Sequence, residues 1–318
     1  MIGIKEYLEY FENNARQWIV GGYDASGYNY PTAMHRVRIV SKFISSLNKS
    51  GLKIIDLGCG GGDLSFRLAE DGHTVLGVDQ SSKMVEIAEK NLANFPKKIK
   101  AQVRFLRGEI DEKMMPGEKF DVVAAMGLIG YLPDDKTFFK IAGNLLKPGG
   151  HLLVSSRNRL FNMKSIGFRT EREIKNKYAL KLVRELGGLY NRVSAGDAHR
   201  FIGNLKKTVS GLPESMAFDR KSTLSPLEKH GLRASILKTE PRQSTPEELK
   251  KTALKCGFEH RAYYGVHPHL IDPALNKMLP PQLFNRISDC LEAFEHLPIS
   301  LAWSSVFIGV FKKSGKKI

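Results

Sequence analysis

The sequence of 318 residues predicts an α/β fold with a doubly wound, mostly parallel sheet of seven strands and a helical insertion. Short apolar runs alternate with helical patterns over residues 52–158, which is typical of parallel strands covered by helices on both faces. Right-handed crossovers then place helices on both sides of the sheet. A basic, mostly polar stretch over residues 159–244 interrupts this alternation, which resumes afterwards.

The elements follow one another in a regular order. Apolar residues at helical spacing over residues 31–49 predict a helix that stops before Gly51. Five predicted strands then lie in LKIIDLG, HTVLGVD, AQVRFLRGE, FDVVAAMG and HLLVSSRN. The helices between them include DLSFRLAEDG, SSKMVEIAEKNLANF and DKTFFKIAGNLLKPGG. After the insertion, STPEELKKTALKCGFEHRAYYGV predicts a capped helix and a strand through Tyr264, and LAWSSVFIGVFKK predicts a last strand.

Composition and charge exclude several classes of protein. No apolar run approaches the about 18 residues of a membrane span, and the N-terminus lacks the apolar core of a signal peptide. Three cysteines are too few and too scattered for a disulfide framework or a zinc site. We therefore expect a cytoplasmic protein without a structural metal. The net charge of +16 favours anionic partners, with nucleic acid among them.

A glycine-rich segment, DLGCGGG at residues 56–62, follows the first predicted strand. A triphosphate loop would continue with Lys and Ser or Thr, but Asp63 and Leu64 stand there. A dinucleotide fingerprint needs a small residue at Asp63, where a carboxylate would repel a pyrophosphate. The glycines let a ligand approach the main chain closely because they have no side chains. The neighbouring acid Asp56 favours a ligand that is cationic and has no phosphate. Asp79 ends the second predicted strand, where an acid can accept hydrogen bonds from both ribose hydroxyls.

With these motifs the sequence resembles the class I S-adenosylmethionine-dependent methyltransferases of the small-molecule type. The resemblance rests on IIDLGCGGG, GVDQSSKMVEIA, FDVVAAMGLIGYL and LLKPGGHLLVSSRN, and it is close over residues 35–158 and looser over residues 245–312. It implies a Rossmann-like methyltransferase fold whose sheet ends in an antiparallel hairpin, here FEHRAYYGV with LAWSSVFIGVF. It also implies S-adenosyl-L-methionine as cofactor and S-adenosyl-L-homocysteine as product.

The resemblance places the cofactor against named residues. Asp56, Gly58 and Gly60 would border the methionine moiety, Asp79 would bind the ribose, and Glu109 would flank the adenine where the family usually has Asp. The implied cofactor-binding set is Asp56, Gly58, Cys59, Gly60, Asp79, Gln80, Met84, Glu109, Ile110 and Met126.

A methyl acceptor with a hydroxyl group needs a general base within hydrogen-bond reach. Ligands of such sheets bind at the carboxyl ends of the strands, so His267, His269 and Tyr131 are the candidate catalytic residues. The histidine pair has no nearby third ligand, which argues against a metal site. Other candidates near this edge are Tyr23, Tyr28, Tyr30, His35, Arg157, Asn158 and His199.

We expect transfer of a methyl group, by in-line displacement, to a hydroxyl or amine of a small sugar-like or secondary-metabolite acceptor in biosynthesis. Bases of the insertion either face an anionic group of this acceptor or form a solvated helix face, which we favour. They are Arg169, Arg172, Lys175, Lys177, Lys181 and Arg184. The alternatives are an RNA methyltransferase, for which AMGLIGYL lacks the Asn/Asp-Pro-Pro-aromatic motif of base-methylating relatives, or a non-catalytic S-adenosylmethionine-binding partner.

Four regions are expected along the chain. Residues 1–34 provide an N-terminal helix and the tyrosine-rich loop GGYDASGYNYP over the active site. Residues 35–158 form the cofactor-binding core, and residues 159–244 form a helical insertion that acts as an acceptor lid. Residues 245–318 complete the core with the hairpin strands.

Overall fold

The computed structural model describes residues 8–16, 31–111, 117–165, 167–189, 241–269, 291–292 and 294–315, with single positions between the later ranges. The tyrosine-rich loop with Tyr23, Tyr28 and Tyr30 lies outside the described residues, as does most of the insertion after residue 189.

One sheet organises the described part of the chain. Its strands are β1 (Lys53–Leu57), β2 (Thr74–Asp79), β3 (Val103–Arg107), β4 (Phe120–Ala125), β5 (Leu146–Asn158), β6 (Gln243–Ser244), β7 (Phe258–Pro268) and β8 (Ser304–Lys313). The order across the sheet is β3-β2-β1-β4-β5-β8-β7, and the two-residue β6 pairs with β5. The first five strands in this order, β3-β2-β1-β4-β5, are parallel to one another. Strand β8 is antiparallel to both β5 and β7. The predicted doubly wound, mostly parallel sheet with a terminal antiparallel hairpin is confirmed.

Helices flank the sheet. They are α1 (residues 8–16), α2 (Thr32–Ser46), α3 (Asp63–Glu70), α4 (Ser82–Leu92), α5 (Lys97–Lys100), α6 (Asp135–Leu145), α7 (Phe168–Lys175), α8 (Ala179–Leu189), α9 (Pro246–Lys255) and α10 (Ser300–Trp303). Side chains cap three of them: Ser81 begins α4, Asp134 begins α6, and Thr245 forms a capping box at α9. Each cap oxygen accepts a hydrogen bond from an otherwise unpaired N–H of the first turn.

Three predicted boundaries differ from the structure. Helix α6 ends at Leu145 and β5 begins at once at Leu146, because Leu146 is fully buried and pairs with Phe120. Within the predicted helical insertion, the helix breaks between α7 and α8, where Lys177 adopts a left-handed φ of 62°. Strand β7 continues past Tyr264 to Pro268, so His267 lies within the strand.

Both faces of the sheet are covered. Alternate strand residues point to opposite sides, so Ile55, Phe307 and Phe311 join one buried cluster, and Ile54 and Ile308 join another. Because neither face is open, a ligand can approach these strands only at their ends. This leaves the carboxyl ends of the parallel strands as the place for a site.

Candidate functional site

A cavity of about 630 Å³ lies at the carboxyl ends of β1, β2, β4 and β5. We call it the strand-end cavity. Its walls come from the glycine-rich segment, the ends of the strands, helices α1 and α2, and the beginning and end of the insertion. Its volume is in the range of small-molecule sites.

The glycine-rich segment lines the cavity with main chain. Gly58 and Gly60 have φ values of +71° and +52°, a left-handed conformation that glycine adopts without steric cost. The segment is fixed to β2 because the N–H groups of Gly58 and Cys59 both donate to the carbonyl oxygen of Val78, at 2.8 and 3.2 Å. A Cβ built on Gly60 would find only the sulfur of Met84, at 4.0 Å. Gly60 therefore leaves open space beside the main chain that any other residue would fill.

Asp79 bridges the ends of β1 and β2. One carboxylate oxygen, Oδ2, accepts from the N–H of Gly60 at 3.0 Å, and Oδ1 accepts from the N–H of Ser81 at 2.9 Å. Burial raises the pKa of this carboxyl, and the backbone hydrogen bonds oppose that shift. The carboxylate is held in one orientation, with acceptor capacity left for a ligand.

Asp56 is a second buried acid of this wall. It is 2% exposed, and its Oδ2 accepts a hydrogen bond from Ser65 Oγ at 2.9 Å. Burial raises the pKa of Asp56 to about 7, and the neighbouring acids Asp79 and Asp63 add to the rise. Of the described residues at this wall, from residue 56 to residue 84, no lysine or arginine lines the cavity.

This donor set fits an adenosyl sulfonium compound. Two carboxylates and bare main chain favour a ligand with hydroxyl and cationic groups, and the same carboxylates would repel a diphosphate. The residues that would hold S-adenosylmethionine are therefore Asp56, Asp79 and the glycine-rich segment between them.

The cavity brings nearly all of the predicted cofactor residues together. Its lining includes Asp56, Gly58, Cys59, Gly60, Asp79, Gln80, Met84, Ile110 and Met126. Glu109 does not line the cavity and is exposed, whereas Ile110 next to it is buried. Strand β3 ends at Arg107, and the N–H of Gly108 then donates to the carbonyl oxygen of Asp79 at 3.0 Å. After this turn Ile110 lines the cavity, while Glu109 is on the solvent side.

The three predicted catalytic residues also line the cavity. The rings of His267 and His269 lie 4.3 Å apart between centroids, and Phe161 lies 4.9 Å from His269. We call these three residues the acceptor wall. Tyr131 lies in a 3₁₀ turn after β4 and packs edge-on against Phe11 of α1, with ring centroids 5.3 Å apart.

Both histidines of the acceptor wall are neutral near pH 7. Burial, together with smaller contributions from the nearby Arg36 and His35, lowers the pKa of His267 to about 3. Burial also lowers the pKa of His269 far below its usual range, with contributions from His267 and Lys164. A neutral imidazole has one nitrogen that can accept a proton or a hydrogen bond.

Helix α1 and the insertion cover the cavity from above. Leu8 and Phe11 of α1 and Phe168 and Arg169 of α7 line it. The arrangement agrees with the lid positions expected for residues 1–34 and for the insertion, while the division into four regions stays a prediction.

Of the other described candidates, Arg157 and Asn158 line the cavity, whereas His35 and His199 do not. His35 is buried against Glu292 and Glu295 and does not line the cavity, and His199 is exposed. Asn158 lines it, but its amide donates to the carbonyl oxygens of Leu301 and Ser304. Of the insertion bases only Arg169 lines the cavity, and the exposed ones are Arg172, Lys175, Lys177, Lys181 and Arg184.

Several lining residues were not predicted as site residues. Arg36 of α2, Ser155 of β5, Asn162 and Gln243 belong to four separate segments. Ser155 Oγ accepts from the N–H of Gly127 at 2.7 Å and so joins the ends of β4 and β5. No local motif marks these residues, because folding alone brings their segments together.

Two further features are absent from the described part of the chain. None of its helices is long and apolar enough to cross a membrane. It contains no group of three or more His, Cys, Asp or Glu side chains that could hold a metal ion.

Comparison with known proteins defines the class. Residues 48–201 match the family model described as a methyltransferase domain. This match identifies residues 48–201 as a methyltransferase domain, and the sheet order and the glycine-rich segment agree with the class I S-adenosylmethionine-dependent type. The resemblance seen in the sequence is confirmed, and S-adenosylmethionine is the cofactor of this family.

The relatives are bacterial. The chain is 31% identical over 159 residues to the "Ubiquinone biosynthesis O-methyltransferase" of Coxiella burnetii. The aligned region covers 49% of this chain and 64% of the relative. It is 33% identical over 113 residues to the enzyme of the same name from Pseudomonas fluorescens, covering 36% and 47%. The chain thus spans less than two thirds of these curated relatives.

A solved structure extends the likeness in fold. The magnesium protoporphyrin IX methyltransferase of Synechocystis PCC 6803, with bound S-adenosylhomocysteine, superimposes with a TM-score of 0.54. The identity is 14%, and the match covers 98% of this chain and 99% of that one. At this identity the likeness shows the fold alone.

Proposed function

We propose that this chain is an S-adenosylmethionine-dependent methyltransferase that methylates a hydroxyl group of a small molecule bound in the strand-end cavity. The observation that carries the proposal is the meeting, in one cavity, of the acidic glycine-rich wall and the neutral histidines of the acceptor wall. A hydroxyl is favoured over an amine because the curated relatives are named as O-methyltransferases.

The cofactor would supply a methyl group on a sulfonium centre, open to in-line displacement by a nucleophile. This chain binds and orients the two reactants, and orientation alone contributes several kcal/mol to such reactions. The acceptor oxygen would take the methyl group, and the thioether S-adenosylhomocysteine would be the leaving group. The hydroxyl proton passes to an imidazole of His267 or His269.

The lowered pKa of the histidines limits which methyl acceptors they can deprotonate. The imidazole of His267, whose pKa is lowered to about 3, is a weak general base, so it suits an acidic hydroxyl such as a phenol better than an aliphatic alcohol. Aromatic residues around the cavity, namely Phe11, Tyr131, Phe161 and Phe168, favour a planar ring in the same place. Of the two predicted acceptor types we therefore favour a secondary metabolite, one with an aromatic hydroxyl, over a sugar-like compound.

Replacing Asp79 tests the cofactor site. In Asp79→Ala, the loss of charged hydrogen bonds should weaken binding of S-adenosylhomocysteine by about 1–3 kcal/mol. Isothermal titration calorimetry measures the affinity, and Glu89→Ala, which removes an exposed acid of α4, should bind like the wild type. An unchanged affinity in Asp79→Ala would remove this residue from the site.

Activity needs a separate experiment. Cell-extract metabolites are incubated with the protein and S-adenosylmethionine that carries a labelled methyl group. The expected product is a labelled methyl ether of an aromatic hydroxyl. Cofactor binding with no transfer to any metabolite would favour the non-catalytic alternative.

A further inference from the structure

Asn162 and Gln243 lie at the two ends of the insertion and meet in the strand-end cavity. Asn162 is in the 3₁₀ turn Arg159–Met163 that follows β5, and Gln243 is in β6, paired with Arg157 of β5. Asn162 Nδ2 donates a hydrogen bond to Gln243 Oε1 at 2.8 Å. Both residues line the cavity, and Asn162 is only 4% exposed.

A buried ion pair behind Asn162 sets the orientation of its amide. Arg159 donates to both carboxylate oxygens of Glu173, at 3.1 and 2.8 Å, and the Glu173 side chain is 3% exposed. An ionised carboxylate can only accept hydrogen bonds. Asn162 therefore turns its NH₂ group towards Glu173, to whose Oε1 it donates at 2.9 Å.

The orientation of Gln243 follows from that of Asn162. The second hydrogen of the Asn162 NH₂ group points to Gln243, which must present its oxygen. A flip of either amide would place two oxygens or two NH₂ groups against each other. Asn162 Oδ1 and Gln243 Nε2 remain, and neither makes a hydrogen bond to another described residue. The pair thus offers one acceptor and one donor next to each other at the cavity wall.

We propose that Asn162 and Gln243 form a subsite for a second, un-ionised polar group on the methyl acceptor. This group donates a hydrogen bond to Asn162 Oδ1 and accepts one from Gln243 Nε2, as a hydroxyl or a primary amide does. The inference rests on the proposed function and adds a requirement for the acceptor: a neutral polar group besides the hydroxyl that receives the methyl group.

The same geometry defines which groups the subsite rejects. A carboxylate or an ionised oxygen has no hydrogen to donate, so that it would place a second acceptor against Asn162 Oδ1. A methyl ether cannot donate to Asn162 Oδ1, so that a buried acceptor stays without a partner. An already methylated group should therefore bind poorly in the subsite.

Four ring compounds test the subsite by calorimetry on the protein saturated with S-adenosylhomocysteine. Catechol and 2-hydroxybenzamide carry the required second group, whereas 2-methoxyphenol lacks its proton and 2-hydroxybenzoate is ionised. The first two probes should bind about tenfold or more tightly than the other two, which is the effect of one buried hydrogen bond.

The variant Gln243→Glu tests the donor of the subsite, Gln243 Nε2, separately from its acceptor, Asn162 Oδ1. Glutamate keeps the oxygen that accepts from Asn162 but replaces the donor NH₂ with a second acceptor. Catechol and 2-methoxyphenol, whose oxygens both accept from Gln243 Nε2, should then both bind more weakly, and 2-aminophenol, which donates twice, should become the preferred probe. The control Asn176→Asp makes the same amide-to-acid change at an exposed residue of the insertion and should keep the wild-type order.

The outcomes are distinct. If the protein does not bind S-adenosylhomocysteine, the proposed function fails and the subsite fails with it. If the cofactor product binds but the four probes bind equally, or none binds, only the subsite is overturned. Equal changes in Gln243→Glu and Asn176→Asp would also overturn it. Circular dichroism of both variants shows whether each is folded.

Discussion

Asp56 is a buried acid whose structural cost agrees with the binding role proposed for it. Its carboxyl is buried at the end of β1, and Ser65 Oγ donates to it. A buried carboxylate without a cationic partner favours the protonated form. A sulfonium or ammonium group bound beside Asp56, as proposed, would reverse that preference and stabilise the ionised form.

The free energy of unfolding should therefore depend on Asp56. Because its pKa rises from 3.8 to about 7 on folding, the native state holds the proton in this window and the unfolded state does not. Stability should fall as the pH rises through it, by an amount on the order of 2–4 kcal/mol. Asp56→Asn should remove this dependence in urea unfolding between pH 4 and pH 8, measured without cofactor.

A second variant checks the cause. Ser65→Ala removes the hydrogen bond that lowers the pKa of Asp56, so the fall in stability should extend to higher pH. The same slope in the wild type and Asp56→Asn would show that another group titrates in this range.

At the scale of elements, α1 is joined to the core at two points. Glu12 accepts hydrogen bonds from Ser82 N at 2.5 Å, Ser82 Oγ at 3.1 Å and Lys83 N at 3.3 Å, at the N-terminus of α4. These hydrogen bonds lower the pKa of Glu12, and a negative charge also suits the positive end of the helix. Phe11 makes the second contact, with Tyr131 after β4. Helix α1 thus bridges the cofactor side and the acceptor side of the cavity.

Removing the Glu12 contact should loosen α1 without unfolding the core. In Glu12→Ala, the lost cap of α4 should cost about 0.5–1 kcal/mol. Amide hydrogen exchange of residues 8–16 should become faster, and bound S-adenosylhomocysteine should dissociate faster. Glu9→Ala, at an exposed position of α1, is the matched control. Unchanged exchange in Glu12→Ala would show that other contacts hold the helix.

Across the whole molecule, a buried cluster joins the beginning of the described core to its end. His35 lies 3.2 Å from Glu292 Oε1 and 3.1 Å from Glu295 Oε2, and Lys42 reaches Glu295 Oε1 at 3.3 Å. The His35 side chain is 1% exposed. The cluster fixes α2 against the chain before β8, and Arg36 next to His35 lines the cavity.

Breaking this cluster should destabilise the fold. Glu295→Gln removes a buried charge from its hydrogen bond to His35 and should lower the free energy of unfolding by about 1–3 kcal/mol. Urea unfolding measures the change. Glu259→Gln, which breaks the exposed pair with Arg261, should cost about 0–1 kcal/mol. Equal losses in the two variants would contradict a special role for the buried cluster.

The net charge of +16 belongs to the scale of the whole surface. The bases of α7, α8 and the turn between them are exposed, except Arg169 at the cavity. This placement fits a solvated helix face better than recognition of an anionic acceptor by the whole group.

The alternation of strands and helices, the caps and the glycine-rich segment could be predicted because each depends on neighbours in the sequence. Gly58, Gly60 and Asp79 lie within one βαβ unit, where a short loop fixes their relation. Glu109 shows the limit of the approach, since a turn one residue away decides which side chain faces the cavity.

The sequence by itself determined the parallel sheet and the acidic glycine-rich loop, because hydrophobic periodicity and glycine's backbone freedom act locally. Only the tertiary structure decided what faces that loop. Asn162 and Gln243 meet across the whole insertion, and α1 reaches both α4 and the turn after β4. Such contacts arise from packing between distant segments, for which local propensity carries no information.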